Sequence, residues 1–251
     1  MSKTRIIPKL LLKDGRCVKG KRFGELRDVG HPVTNARIYE AQGADELLLF
    51  DIAASVEGRP PLLDVVTQTA REVLMPFCVG GGIRTVADIR ALLLAGADKV
   101  AINTAAVRNP ALIEEGAKLF GSQCLVVSID FRRVHEQTEV FTHGAKEPTG
   151  LDVLDHSRRL VDRGAGELLL TSIDRDGTMT GYDLEITRAV AEAVPVPVIA
   201  SGGAGTLAHL AEVILEAGAS AVAVGSLFHF TDQSPIKART YLRGAGVEVR
   251  V

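Results

Sequence analysis

The chain has 251 residues, of which 46% are hydrophobic and 24% charged, and its formal net charge is −2. That length buries a large core, and the balanced charge gives no general attraction for nucleic acid or an acidic membrane surface, so neither is an expected partner. Three cysteines (Cys17, Cys78 and Cys124), without CxxC or any paired spacing, argue against a disulfide framework and a zinc site, which fits a reducing, cytoplasmic compartment.

Taken in chain order, the first apolar run, "RIIPKLLL", is broken by Pro8, Lys9 and Lys13 and reads as a buried strand, not as a secretory signal. No stretch approaches the roughly 20 apolar residues of a membrane span. "ELLLFDI", "PFCVGGG", "KVAIN", "CLVVSID", "ELLLTSID", "PVIASGG" and "AVAVGS" follow, making eight candidate strands, nearly continuous in apolar residues as strands covered on both faces are. Between them, stretches such as "TVADIRALLLAG" and "LAHLAEVILEAG" carry apolar residues at helical spacing with a glycine just past the end. Eight such units predict an α/β fold, a single (β/α)8 (TIM) barrel over 1–251, with an open doubly wound sheet as the rival. Two stretches, 14–32, a long loop, and 131–149, read as insertions after the first and fifth strands, on the rim that builds active sites in this fold; "EVFTHG" suggests a small hairpin in the second.

The chain also repeats itself. "GADELLLFDI" at 43–52 returns as "GAGELLLTSI" at 164–173, "VGGGI" at 79–83 as "ASGGA" at 200–204, and "GADKVAIN" at 96–103 as "GASAVAVG" at 218–225, at offsets of 121, 121 and 122. Two similar half-barrels, about 1–122 and 123–251, explain the echoes.

Glycines at the ends of the third and seventh strands (Gly80, Gly81, Gly82; Gly202, Gly203, Gly205) let backbone N–H groups approach an anion ahead of a helix N-terminus. Asn103 and Thr104, and Gly225 and Ser226, end the fourth and eighth strands and can complete each cradle. Tight strand-to-helix turns would need glycine as well, but a cradle in each half fits a ligand with a phosphate at both ends. Asp51, Asp130, Asp174 and Asp176 fall at strand ends near Thr171 and Ser172, where acids serve general acid–base chemistry. Helix capping or pairing with Lys and Arg is a realistic alternative for Asp51 and Asp176. Asp130 follows "LVVSI", which is wholly buried in character, so desolvation there should raise its pKa.

"VGGGI", "GADKVAINTAAV", "TSIDRDGT", "GYD" and "IASGGAG" together resemble the cyclase subunit of imidazole glycerol phosphate synthase over almost the whole chain. The resemblance implies a barrel that pairs with a glutaminase subunit, receives ammonia through its interior and uses it on a bisphosphorylated ribulosyl substrate, with no cofactor and no metal. It implies substrate or phosphate contacts at Lys19, Gly81, Gly82, Asn103, Thr104, Thr171, Asp176, Gly177, Gly202, Gly203, Gly225 and Ser226, and a catalytic role for Asp130. Arg5, Glu46, Lys99 and Glu167 match a ring of charges at the ammonia entrance, and Asp98 matches a residue facing the glutaminase.

One departure stands out. The family's second catalytic acid sits within a typical "CLDVKDG", where this chain reads "KLLLKDG", so the acid's place holds Leu11 and the usual cysteine's place holds Lys9. His143 and Gly144 likewise replace a usual Tyr-Ser pair. "IIPKLLLKDG", "RDVGHPVTNARIYEAQ" and "VKGKRF" are similar to a divergent branch associated with surface-polysaccharide synthesis, in which the barrel supplies ammonia to a separate sugar amidotransferase that makes an acetamidino group. The expected function is therefore a glutaminase-coupled, ammonia-conducting barrel with impaired cyclase activity. Alternatives are the genuine cyclase of histidine biosynthesis with Asp130 as acid–base group, a non-catalytic ligand-sensing activator of a glutaminase, and the related sugar-phosphate isomerase.

Overall fold

The computed structural model describes residues 3–135 and 137–250. Its strands are β1 (Arg5–Lys13), β2 (Arg16–Lys21), β3 (Gly24–Gly30), β4 (Leu47–Asp51), β5 (Phe77–Gly80), β6 (Lys99–Ile102), β7 (Leu125–Val134), β8 (Gln137–Thr142), β9 (Glu147–Asp152), β10 (Glu167–Ser172), β11 (Val198–Ser201) and β12 (Ala221–Val224). Eight of them, β1, β4, β5, β6, β7, β10, β11 and β12, pair in parallel in that order, and β12 returns to β1. The sheet is thus a closed (β/α)8 barrel, and the open-sheet alternative is excluded.

Closure explains the unbroken apolar runs. Each barrel strand is covered by helices on one face and by the bore on the other. On β1, Ile6 and Leu10 join the outer core beneath the helices, while Ile7 joins an inner cluster with Leu48, Cys78, Ala101, Val126, Leu169, Ile199, Ala221 and Ala223. Pro8 lacks an N–H, and it marks the last register pair with β12, opposite Val224.

Equivalent places in the repeat share local geometry. Asn103 and Gly225, each opening a short helix after its strand, have φ/ψ of −114°/−82° and −115°/−84°. Thr85 and Thr206 cap the helices Val86–Leu94 and Leu207–Leu215 by accepting from the backbone N–H of Asp88 and His209. The echo in sequence marks equal backbone demands at strand-to-helix corners.

The insertions are more regular than the sequence suggested. Residues 14–32, read as a loop, form the antiparallel ribbon β2–β3, which continues from β1 through the turn at Asp14 and Gly15. The second insertion extends β7 into an antiparallel meander with β8 and β9, in keeping with the expected hairpin. Among the described residues no helix is long and apolar enough to cross a membrane.

Gly203 illustrates how tightly a rim corner is built: its φ is +110°, and an added Cβ would overlap the Gly181 carbonyl oxygen. Gly150 has φ +71° with nothing within 4 Å of an added Cβ. Both alanine variants incur left-handed backbone strain of about 1–2 kcal/mol. Only Gly203→Ala adds a collision with backbone, so it should lower the melting temperature clearly more than Gly150→Ala in a thermal denaturation pair. Equal losses would mean that this corner has room to relax.

Candidate active site

Alternation along β1 sends Arg5, Ile7, Lys9 and Leu11 to the bore at successive heights. At the strand-start end, Arg5 contacts Glu46 at 2.6 Å and Glu167 at 3.1 Å, and Lys99 contacts Glu46 at 3.1 Å and Glu167 at 2.9 Å. The four residues predicted as an entrance ring do come together, from four different strands or strand starts. Each cation meets both carboxylates. Above them lies the inner apolar cluster, with the buried Cys78 thiol close enough to the ring for its charges to act on it.

Higher still, the Lys9 amine reaches across the bore and donates to Thr171 Oγ1 (3.3 Å) on β10 and Ser201 Oγ (3.1 Å) on β11, while lying 5.5 Å from the Phe50 ring centre. Burial pulls its pKa down from the ordinary lysine range, opposed by Asp176 and Asp130 and reinforced by Lys19.

Over this layer opens a cavity of about 270 Å³ at the strand-end rim, lined among others by Lys9, Leu11, Phe50, Asn103, Ser128 and Asp130. Leu11 and Asp130 stand on β1 and β7, four strands apart in a ring of eight, and hence on opposite walls. Asp130 Oδ2 accepts from Asn103 Nδ2 at 2.8 Å. Desolvation raises the Asp130 pKa to about 6, against the lowering effects of Lys9, Asn103 and Thr171, with Asp176 adding to the rise.

The other rim acids are committed elsewhere. Asp51 accepts from the N–H groups of Ala53 and Ala54 and holds Arg59 at 2.6 and 3.0 Å. Asp176 pairs with Lys19 at 2.9 Å, and Asp174 lies 3.3 Å from Arg132. Capping and pairing, the alternative reading for Asp51 and Asp176, is what the geometry displays. Asp14 is exposed at the β1–β2 turn with φ +51° and does not line the cavity, so it does not fill the place of the acid missing at Leu11.

Gly81, Gly82, Asn103 and Thr104 line the cavity, whereas Gly177, Gly202, Gly203, Gly225 and Ser226 lie beyond its lining, with Gly177 against Gly20 and Lys21 of the β2–β3 ribbon and Gly225 against Lys19. The ribbon closes that side: Lys19 is buried, its ion pair to Asp176 is sealed, and Arg22 N–H donates to the Asp176 carbonyl at 2.7 Å. One buried side-chain oxygen at each cradle, Asn103 Oδ1 and Ser226 Oγ, has no hydrogen-bond partner among the described residues. The Thr104 hydroxyl accepts from His143 N–H at 3.3 Å, and Gly144 lines the cavity, so the unusual 143–144 pair does border this site. Asp98 is exposed on the opposite face, accepting from Phe77 N–H at 3.0 Å. Among the described residues, no group of three or more His, Cys, Asp or Glu is placed to hold a metal ion.

Sequence reading did not assign Lys9, Phe50, Ser128 or Ser201 to the site. The available signal was spacing: once Arg5 is a ring residue, Lys9 and Leu11 must face the same bore.

A family model described as "Histidine biosynthesis protein" matches residues 5–234, which take in all eight barrel strands, and the chain belongs to that family.

The raised Asp130 pKa makes two signed predictions. Because the folded value exceeds the unfolded one, this group's share of stability is greatest below about pH 4 and is lost as pH rises through about 6. Asp130→Asn should therefore gain stability over wild type at pH 7 relative to pH 4 in denaturant titrations. In carboxylate NMR, the resonance assigned by that variant should titrate near 6 and move upward in Asn103→Leu, which removes a hydrogen bond to the ionised form. A midpoint near 4 in wild type would refute the assigned environment.

Proposed function

We propose that this member of the histidine biosynthesis protein family is a cyclase-like subunit of a glutamine amidotransferase complex, one that takes ammonia in at its charged ring and has weak or no cyclase turnover. Its service is the supply of ammonia for an acetamidino modification of a surface-polysaccharide sugar. One observation carries this reading: across the cavity from Asp130, the opposite wall presents the hydrocarbon Leu11, and the nearby carboxylates Asp14, Asp51 and Asp176 are exposed, bound to arginine, or bound to lysine. Ring closure requires a proton given at one side of the substrate and taken at another. Loss of one such group typically costs about a hundredfold to ten-thousandfold in rate.

What remains suits conduction and anion binding. The ring of Arg5, Glu46, Lys99 and Glu167 leads into an apolar layer that includes the small residues Ala101, Ala221 and Ala223. Ammonia leaving that layer meets Lys9 and Asp130 together. On the ring's face, partner docking is supported by the exposed Asp98 and by Leu74, Leu94, Leu119 and Leu215, which are 99%, 81%, 59% and 58% exposed where helices run back to strand starts. We assign that partner as a glutaminase, forming a heterodimer. The two cradles, with their unpartnered Asn103 Oδ1 and Ser226 Oγ, support a ligand phosphorylated at both ends, with Lys19 of the ribbon released to the second phosphate.

The second reading is the genuine cyclase, favoured by the Asp130 pKa near 6, which suits an acid–base group. The assay that separates them supplies the bisphosphorylated ribulosyl substrate with excess ammonium salt and follows imidazole formation. Leu11→Asp should exceed wild type by about a hundredfold or more. Wild-type turnover equal to that of an ordinary cyclase would reject the proposal, and ligand-stimulated glutaminase activity without any aminated product would favour a purely regulatory subunit.

A further inference from the structure

We propose that Lys9 is an imine-forming nucleophile, its amine condensing with the carbonyl carbon of a phosphorylated aldehyde or ketone held in the rim cavity. The proposal rests on reading the cavity as a site for a phosphorylated ligand, but not on ammonia transit.

Position comes first. Lys9 lines the cavity, and its side chain spans from β1 to hydroxyls on β10 and β11, three and two strands away around the ring. The amine therefore lies centrally beneath the cavity mouth, not against its own wall. Its partners are Thr171 Oγ1 and Ser201 Oγ, neutral groups that accept from an ammonium and equally donate to the lone pair of a free amine. A lysine placed for charge pairing would have a carboxylate in direct contact. Here Asp176 is occupied by Lys19 at 2.9 Å and Asp130 by Asn103 at 2.8 Å.

The charged groups that act on the amine are Asp130, Asp176 and Lys19, with the Phe50 ring on one side. Burial outweighs the two acids and holds the amine below the ordinary lysine range, which favours the nucleophilic form. Asp130 lines the same cavity as Lys9, and each of the two groups shifts the other's protonation, so a carbonyl held in that cavity has Asp130 as its partner acid.

The step balances without any added oxidant or reductant. The free amine attacks the carbonyl carbon, forming the C–N bond as the C=O π pair takes a proton from Asp130. One nitrogen proton passes through Asp130 to the departing hydroxyl, so the carbinolamine loses its oxygen as water, and the second nitrogen proton restores the Asp130 acid. Ketone plus lysine thus gives imine plus one water.

Ribulose 5-phosphate is a suitable probe, with ribitol 5-phosphate as the control that lacks a carbonyl. Wild-type protein incubated with the ketose and borohydride should gain one reduced adduct, mapped by peptide mass spectrometry to Lys9, with ribitol 5-phosphate suppressing it by competition. Trapping should reach half its maximum at a pH below the roughly 10.4 of an ordinary lysine. Lys9→Arg should bind ribitol 5-phosphate and lose the adduct. Calorimetric binding of both phosphates without a Lys9 adduct, or with adducts only on exposed lysines, overturns the imine while leaving the ligand site in place. Failure of both compounds to bind overturns the site and the imine together.

Discussion

A closed barrel gives every strand one face to the helices and one to the bore, and the two-residue period of β1 is what makes this bore chemically layered. From Arg5 to Leu11 the same strand contributes a ring cation, an apolar filler, a buried amine and a hydrocarbon wall. A one-residue slip in register would reverse all four, sending Ile6 and Leu10 inward and stranding two charges against the helices. The packing of the outer core therefore fixes the chemistry of the inner one.

Within that frame, the site is organised by which charges are matched and which are not. Three of the rim acids have cationic partners, and they hold the ribbon and the rim loops in place. Asp130 has a neutral amide and Lys9 has neutral hydroxyls. Those two groups are the costly ones in the folded state, since each is pushed away from its ionised form by burial. Such an arrangement makes sense where protons are to be exchanged, not where a structure is simply to be braced.

Much of this was legible in the residues alone. Continuous apolar runs require strands covered on both sides, and glycine pairs ahead of helical patterns mark the corners, so the barrel and its glycine-built rim corners followed from local sequence. The ring was legible only through the resemblance, because nothing local ties Arg5 to Glu167, 162 positions away. The β2–β3 ribbon was hidden: "RCVKGKRFGELRDVG" is too charged to read as strand, and its order comes from contacts such as Lys19 with Asp176, 157 positions on. The same distance effect hid the fate of the acids. Asp51 and Asp130 look alike at their strand ends, and only folding brings Arg59 onto one and leaves the other without a counter-ion in contact.

The ring at the strand-start face contains two cations and two anions, and every unlike pair among them is in contact. Displacing any single member therefore breaks two ion pairs at once, so the four residues hold one another in place cooperatively. Their charges also sum to zero. The ring therefore braces four strand starts without adding net charge to that end of the bore, so the desolvation of each ion is offset by two opposite neighbours.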